Sequence, residues 1–460
     1  MGWTSQLLVA LCVASLGGCV HYQARPLAPA ETFERLDSRA LTDPGLARAA
    51  EPAHLAPVWP PDAWDLQALT VAGLYFHPDL SVARASWAVA RAGLVAAGER
   101  PNPNLTAGPG FNSSTPPNTI TPWILNLDLD FTIETAGKRG FRINEATRLA
   151  DSARYRIADA AWGVRARVRQ ALLDLFAATE AGALLDHQRV LLESTRLLFQ
   201  RQLDAGEISA FQMSQARLQL DTLRVSVADA RRQQEDARAR LATALGLPVA
   251  AIAQTRFDVD VFRRTPLDIP DGPARRQAVL NRGDLLGALS DYEASQASLQ
   301  LEIARQYPDL HLGPGYQMDQ NSNKWSLLFP LSLPVLNRNQ GRIAQAEARR
   351  SLSGAQVEAV QARAIGALDR ALAAYRATLA SIAVADQLLA DAQRVEEVAR
   401  NQLAAGAISQ LDLNIVQAEV MARELVRLDA TVQAQRALGD IEDAMQRPAD
   451  LPVNPLPGAP

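Results

Sequence analysis

Asn102-Pro-Asn-Leu-Thr-Ala-Gly-Pro-Gly-Phe111 returns later in the chain as Tyr307-Pro-Asp-Leu-His-Leu-Gly-Pro-Gly-Tyr316. Gly108 and Gly313 stand 205 positions apart, and that frame holds without a gap through the preceding segment. Asp79-Leu80 meets Asp284-Leu285, Ala83 meets Ala288, Trp87 meets Tyr292 and Leu94 meets Leu299. So many matches in one frame mark a tandem duplication, and a repeat constrains the architecture before any single element is assigned.

Working outward, each copy has the same order of elements. A helical pattern begins near Asp62 to Asp65 and runs to about Gly98, where Pro101 and Pro103 stop it. Leu105 to Ser113 reads as a strand. Trp123, Leu125, Leu127, Leu129, Phe131 and Ile133 then alternate with Asn126, Asp128, Asp130 and Thr132, a strict period of two. From Lys138 a proline-free helical pattern continues to Gly206, about 100 Å of helix at 1.5 Å per residue. Its apolar positions from Ile143 to Ala178 advance at a mean step of about 3.5 residues, the coiled-coil period. Gly206 and Ser209 supply a C-cap and an N-cap for a hairpin turn, and a returning helix ends near Leu245.

The second copy gives a helix from about Gly272 to Gln306, a stop at Pro308, and strands at Leu310–Met318 and Trp325–Leu333. A long helix from Gly341 to about Ala404 follows, then a turn at Gly406 and Ser409 and a last helix ending near Gln446. Gly206 and Gly406 are only 200 positions apart, so the second copy is five residues shorter between its first strand and its long helix. Exposed loops absorb such length changes more readily than rigid helices do.

Bulk properties agree with this plan. The 460 residues are 48% hydrophobic but only 5% aromatic, which favours long helices over a sandwich. A formal charge of −4 argues against a nucleic-acid partner. No P-loop, nucleophile elbow or zinc motif is present, and the five histidines lack metal-ligand spacing. The reading is therefore not an enzyme, with no cofactor and no metal site.

The N-terminus carries an apolar run, Leu7 to Leu16, too short to span a membrane but suited to a signal-peptide core. Leu16-Gly17-Gly18-Cys19 resembles the lipobox of bacterial lipoproteins, which makes Cys19 the lipidation site; Met1 to Gln6 departs from the pattern in lacking Lys and Arg. The expected division is a signal peptide at 1–18, a lipidated Pro-rich extended tether at 19–62, and repeats at 63–250 and 273–447. A linker at 251–272 joins the repeats, and a Pro-rich tail occupies 448–460.

Four strands cannot close a barrel, since even small barrels need about eight. An open sheet edge in lipid would leave backbone groups unsatisfied. Several chains sharing one barrel resolve the conflict, with the long helices assembling into a tube below it.

In that plan the chain resembles the outer membrane efflux, or TolC-like, family over about residues 65–446. The likeness rests on the duplicated strand pairs and hairpins, the Pro-Asx-Leu entries, Leu331-Ser332-Leu333-Pro334-Val335-Leu336-Asn337, and the Ala-Gly-x-Ile-Ser turns. The resemblance implies a mainly α fold with a small β part. Duplicated α-helical hairpins would form a periplasmic α-barrel, and four strands per chain would join a shared trimeric outer-membrane β-barrel. It further implies a homotrimer, anchored in outer-membrane lipid, docked to a periplasmic adaptor and an inner-membrane pump of the RND type. Glu134-Thr135-Ala136-Gly137-Lys138-Arg139 and Asn337-Arg338-Asn339-Gln340-Gly341 resemble the cobalt–zinc–cadmium subgroup, which makes divalent metal cations the expected substrate. A drug or small-molecule duct and a periplasmic adaptor lipoprotein are the alternatives; an adaptor would show one hairpin between β domains, not two.

By the same resemblance Asp412, with Gln212 as its first-repeat counterpart, is the candidate pore constriction. A second acidic position of the family pattern falls here on Asn414 or Ile415. Asp412 can equally serve only to open the returning helix, where a carboxylate is favourable. Gly206, Ser209, Gly406 and Ser409 mark the hairpin turns where an adaptor would dock. Pro103, Gly108, Gly110, Pro308, Gly313 and Gly315 mark the barrel–tunnel junction. Trp123 and Trp325 open the second strands and fit either an interfacial girdle or ordinary strand packing.

Overall fold

The computed structural model describes residues 20–51, 59–114, 121–265 and 272–448. Cys19 and most of the Pro-rich tail lie outside them.

The segment read as an extended tether is folded in part, which corrects that expectation. It forms α1 (Pro29–Asp37) and α2 (Pro44–Ala50), each with a proline in its first turn, where the missing N–H costs nothing. Leu41 and Leu46 are buried in the main core, and Ala50 is buried beside them in sequence. Arg39 donates to the carbonyls of Phe76 (2.8 Å) and Gly246 (2.9 Å), tying this segment to two helix ends. Proline-rich composition hid these contacts because they depend on partners far along the chain.

The first predicted helix is two, α3 (Leu66–Phe76) and α4 (Pro78–Gly98), broken where Pro78 disfavours helical geometry at His77. His77 then caps α4 by accepting the Asp79 N–H at Nδ1 (3.2 Å). Strands β1 (Asn104–Phe111) and β2 (Trp123–Ile133) lead into α5 (Lys138–Asp204), a helix of 67 residues, and α6 (Ala210–Leu245) returns. The second copy gives α7 (Gly272–Leu280), α8 (Gly283–Ala304), β3 (Leu310–Asp319), β4 (Ser322–Leu328), α9 (Gln340–Ala404) and α10 (Gln410–Met445). Here too the single helix expected from Gly272 to Gln306 is broken, at Asn281-Arg282. β4 starts and ends earlier than predicted; Pro330 and Pro334 cannot donate to a ladder.

The four strands form one antiparallel sheet in the order β1-β2-β3-β4. The two repeats meet at its centre, where Ile133 pairs with Leu310 and Leu127 with Tyr316. Below the sheet, α6 packs on α5, α5 on α10 and α10 on α9, giving the row α6-α5-α10-α9. The main core gathers Leu69, Val164, Val168, Leu172, Leu241 and Phe262, all fully buried. Each such side chain contributes about 1.5–3 kcal/mol. A second cluster holds Leu368, Leu372, Tyr375, Ala434 and Ile441. Among the described residues no helix is long and apolar enough to cross a membrane.

Candidate functional site

At the far end of the row the two hairpin turns are built alike. Gly206 and Gly406 sit at φ +76° and +71°, a left-handed geometry that favours glycine. Glu207 N–H reaches Gln202 O and Gly206 N–H reaches Leu203 O, at 2.8 and 2.9 Å. Ala407 and Gly406 repeat both bonds onto Gln402 and Leu403. These Schellman closures satisfy helix-end carbonyls.

Ser209 and Ser409 then open the returning helices in capping boxes with Gln212 and Asp412. Asp412 accepts from the Ser409 hydroxyl (2.7 Å) and N–H (2.9 Å). The Ser409 hydroxyl, followed by that N–H, holds the Asp412 carboxyl below its usual range. Both pore candidates thus have a structural task in the turn.

Of the two residues at the second acidic position of the family pattern, Ile415 is exposed and Asn414 is buried. Asn414 donates to Ser194 (3.1 Å) and Thr195 (3.0 Å) on α5, so it ties the tips of the two hairpins together. Sequence periodicity could not find this link, because its partners are 219 and 220 residues away.

The end of the row nearest the sheet holds a second constellation. Pro103 and Pro308 stand where helices give way to strands. The glycines lie further on, Gly108 and Gly110 within β1 and Gly313 and Gly315 within β3. Gly315 is a close-approach position, since a Cβ there would meet Asp128 Oδ1 and Ser326 Oγ at 2.5 Å.

Polar groups from both repeats join at the step itself. Buried Lys138 donates to Tyr307 O (2.7 Å) and Asp309 Oδ1 (2.6 Å). Thr135 donates to Pro308 O and, through its N–H, to Asp309. Arg142 pairs with Glu134 and also donates to the carbonyls of Ala97 and Glu99; Arg139 donates to that of Gly98. Glu134 to Arg139, which the sequence offers only as a subgroup likeness, is a staple between α4, α5 and the turn that leads into β3.

Within the sheet, Asn126, Asp128, Asp130 and Thr132 share one face of β2, while Trp123, Leu125, Leu127, Leu129, Phe131 and Ile133 share the other. Trp123 and Trp325 are exposed on that second, apolar face and pack edgewise or tilted against Phe111 and Tyr316. A face of large apolar groups opposite a polar face is the pattern of a barrel strand between lipid and a water-filled lumen. Among the described residues, β1 and β4 leave their outer edges unpaired.

A third polar constellation links the repeats midway along the row. Arg169 is almost fully buried and donates to Gln435 O (2.9 Å) and Oε1 (3.1 Å), with Glu442 at 3.3 Å. Among the described residues no group of three or more His, Cys, Asp or Glu is placed to hold a metal ion.

An open four-stranded sheet with one lipid-type face, continuous with paired hairpins about 100 Å long, defines one class of protein: the subunit of a channel that joins an outer membrane to the periplasm. The comparisons agree. A sequence profile described as "Outer membrane efflux protein" matches residues 74–247 and 274–445, so the chain belongs to that family and acts as an outer-membrane efflux duct.

Among proteins it resembles, the cobalt-zinc-cadmium resistance protein CzcC of Cupriavidus metallidurans is 25% identical over 308 residues, 65% of this chain and 71% of the relative. The fold is shared with CusC (TM-score 0.67, 19% identity, 93% of this chain and 99% of that one). It is shared also with the outer membrane protein VceC of Vibrio cholerae (TM-score 0.67, 18% identity, 83% and 95%). Channels of the family work as trimers in tripartite systems, with a periplasmic adaptor and an inner-membrane pump. It is a family of ducts and not of enzymes.

Proposed function

We propose that three copies of this chain close a single barrel, and that the resulting duct exports divalent metal cations delivered by an RND-type pump and its adaptor. The observation that carries the first part is the sheet with two unpaired edges. Three four-stranded sheets make 12 strands, and only closure leaves no edge in lipid. The metal reading is supported by the likeness to the cobalt-zinc-cadmium resistance protein and by the Glu134–Arg139 segment. Asp412 would place three carboxylates around the tunnel end, a ring that attracts cations; the hairpin turns at Gly206, Ser209, Gly406 and Ser409 would meet the adaptor. Cys19 would carry the lipid after removal of residues 1–18.

Deletion of the gene followed by a resistance screen tests the substrate. Sensitivity to cobalt, zinc or cadmium that the intact gene reverses is expected; sensitivity confined to drugs overturns the metal reading. Native mass spectrometry of the detergent-solubilised outer-membrane protein tests the oligomer, with a trimer expected and a monomer fatal to the shared barrel. Palmitate labelling that vanishes in Cys19→Ser supports the anchor, and label that persists refutes it.

A further inference from the structure

One histidine–carboxylate pair lies on the polar face of the sheet, between the two repeats. In β3, His311 stands directly opposite Thr132 of β2, and residues opposed in an antiparallel pair project to the same side. Asp130 lies two positions back along β2 on that face, within diagonal reach. Its carboxylate oxygens stand 3.0 and 3.1 Å from His311 Nδ1. An ionised carboxylate only accepts, so Nδ1 carries the proton and, in the neutral ring, Nε2 keeps its lone pair. Among the described residues Nε2 has no hydrogen-bond partner, and the side chain is 33% exposed.

Metal-ligating histidines show this arrangement, with one ring nitrogen held by a carboxylate and the other presented outward. A Lys or Arg at 311 would serve a cross-strand ion pair as well, but neither offers a lone pair to a cation. The surrounding charges also suit a cation. On the same face Asp128 stands over Gly315 beside Ser326. Lys324, the one Lys or Arg in the four strands, is taken up by Asp319 at 2.6 Å. The pair is no product of the duplication, because in the frame of 205 His311 answers to Thr106. Its carboxylate comes from the other repeat, 181 positions away, so spacing along the chain does not reveal it.

We propose that His311, held by Asp130, binds a divalent transition-metal cation through Nε2 on the lumen side of the shared barrel, once per chain. This rests on the trimeric metal duct proposed above. Imidazole favours zinc-like cations over magnesium, which prefers oxygen ligands and its own water shell. Twelve strands about 4.8 Å apart make a barrel about 20 Å across. Three imidazoles spread around it cannot share one ion at Zn–N distances of about 2 Å. Each site therefore supplies a single protein nitrogen, and water completes the coordination. Such a site holds an ion briefly and releases it, as conduction requires.

Carbethoxylation of the full-length protein in detergent, read by mass spectrometry at each histidine, tests the site. Diethyl pyrocarbonate attacks an unprotonated ring nitrogen, so His311 is expected to react. Excess zinc chloride should slow that reaction severalfold, whereas magnesium chloride at the same concentration should not. His187, exposed on α5, is the internal reference and should react alike with or without zinc. Asp130→Asn should raise the zinc concentration needed about tenfold, with the trimer unchanged by native mass spectrometry.

Labelling of His311 that ignores zinc, or that magnesium slows equally, would overturn the site. Equal protection of His187 would overturn it too, as non-specific binding. Unaltered protection in Asp130→Asn would strip Asp130 of its part. Zinc protection without metal sensitivity on gene deletion would sink the cargo reading and leave the site standing; metal sensitivity without protection would do the reverse. A monomer would remove the lumen, and the proposal with it.

Discussion

At the scale of single residues, several charged groups hold elements together, and substitutions can separate that task from conduction. Asp412→Asn keeps an oxygen able to cap α10 but removes the charge. If the carboxylates ring the tunnel, planar-bilayer recordings of this variant should show lower cation-over-anion selectivity with an unchanged melting temperature. Unaltered selectivity would leave Asp412 as a cap alone. Lys138→Met leaves the Asp309 carboxylate facing Thr135 without its ammonium partner. Its expected cost is about 2–3 kcal/mol, read as earlier unfolding in denaturant. Lys138 was legible in sequence as part of a motif, but its job was not. Its acceptors, Tyr307 and Asp309, come from the other repeat.

Among elements, the break between α3 and α4 carries a pH dependence. Burial, reinforced by the nearby Arg167 guanidinium, lowers the His77 pKa from its usual 6.5. Nδ1 accepts the Asp79 N–H and must be unprotonated to do so. With the folded value below the unfolded one, stability is full above about pH 6.5 and declines as pH falls below it. Replacement by Asn, a non-titrating cap, should shrink the loss of melting temperature between about pH 7.5 and pH 5.5. An unchanged pH response in His77→Asn would exclude this group as the cause.

The end of α6 is equally constrained. Gly246 sits at φ +73° with Phe76 O and His77 Cα within 3.0–3.1 Å of where a Cβ would stand. Gly246→Ala should cost about 1–2 kcal/mol and appear as a lowered denaturation midpoint. Helix lengths, both hairpin turns and the strand alternation were legible because they depend on local period and cap chemistry. The break at His77 is local as well, written in Pro78, whereas the folded tether was not legible, since Leu46 and Arg39 act on partners far along the chain.

For the whole molecule, the proposed shared barrel makes assembly the sensitive step, so a charge on the exposed apolar face of α9 should act on assembly before it acts on the fold of one subunit. Val395→Asp is expected to reduce trimer yield, with monomer accumulating at unchanged helical content by circular dichroism. Burying one valine is worth about 1.5–3 kcal/mol, and a three-fold ring loses it three times. A trimer as abundant as that of the unchanged chain would place Val395 outside the interface.

The sequence by itself determined the duplication, the two hairpins, the strand pairs and the need for partners. Each is written in period, offset and turn chemistry, which act within a few residues. Only the tertiary structure decided that Glu134 to Arg139 staples the repeats, that Asn414 and Arg169 lock α5 to α10, and which apolar side chains are left exposed. Those outcomes depend on which helices become neighbours. The Gly-Pro-Gly echo itself belongs to both levels. Its recurrence revealed the duplication, while its place inside β1 and β3, beyond the helix-to-strand step, emerged only when the strands were paired.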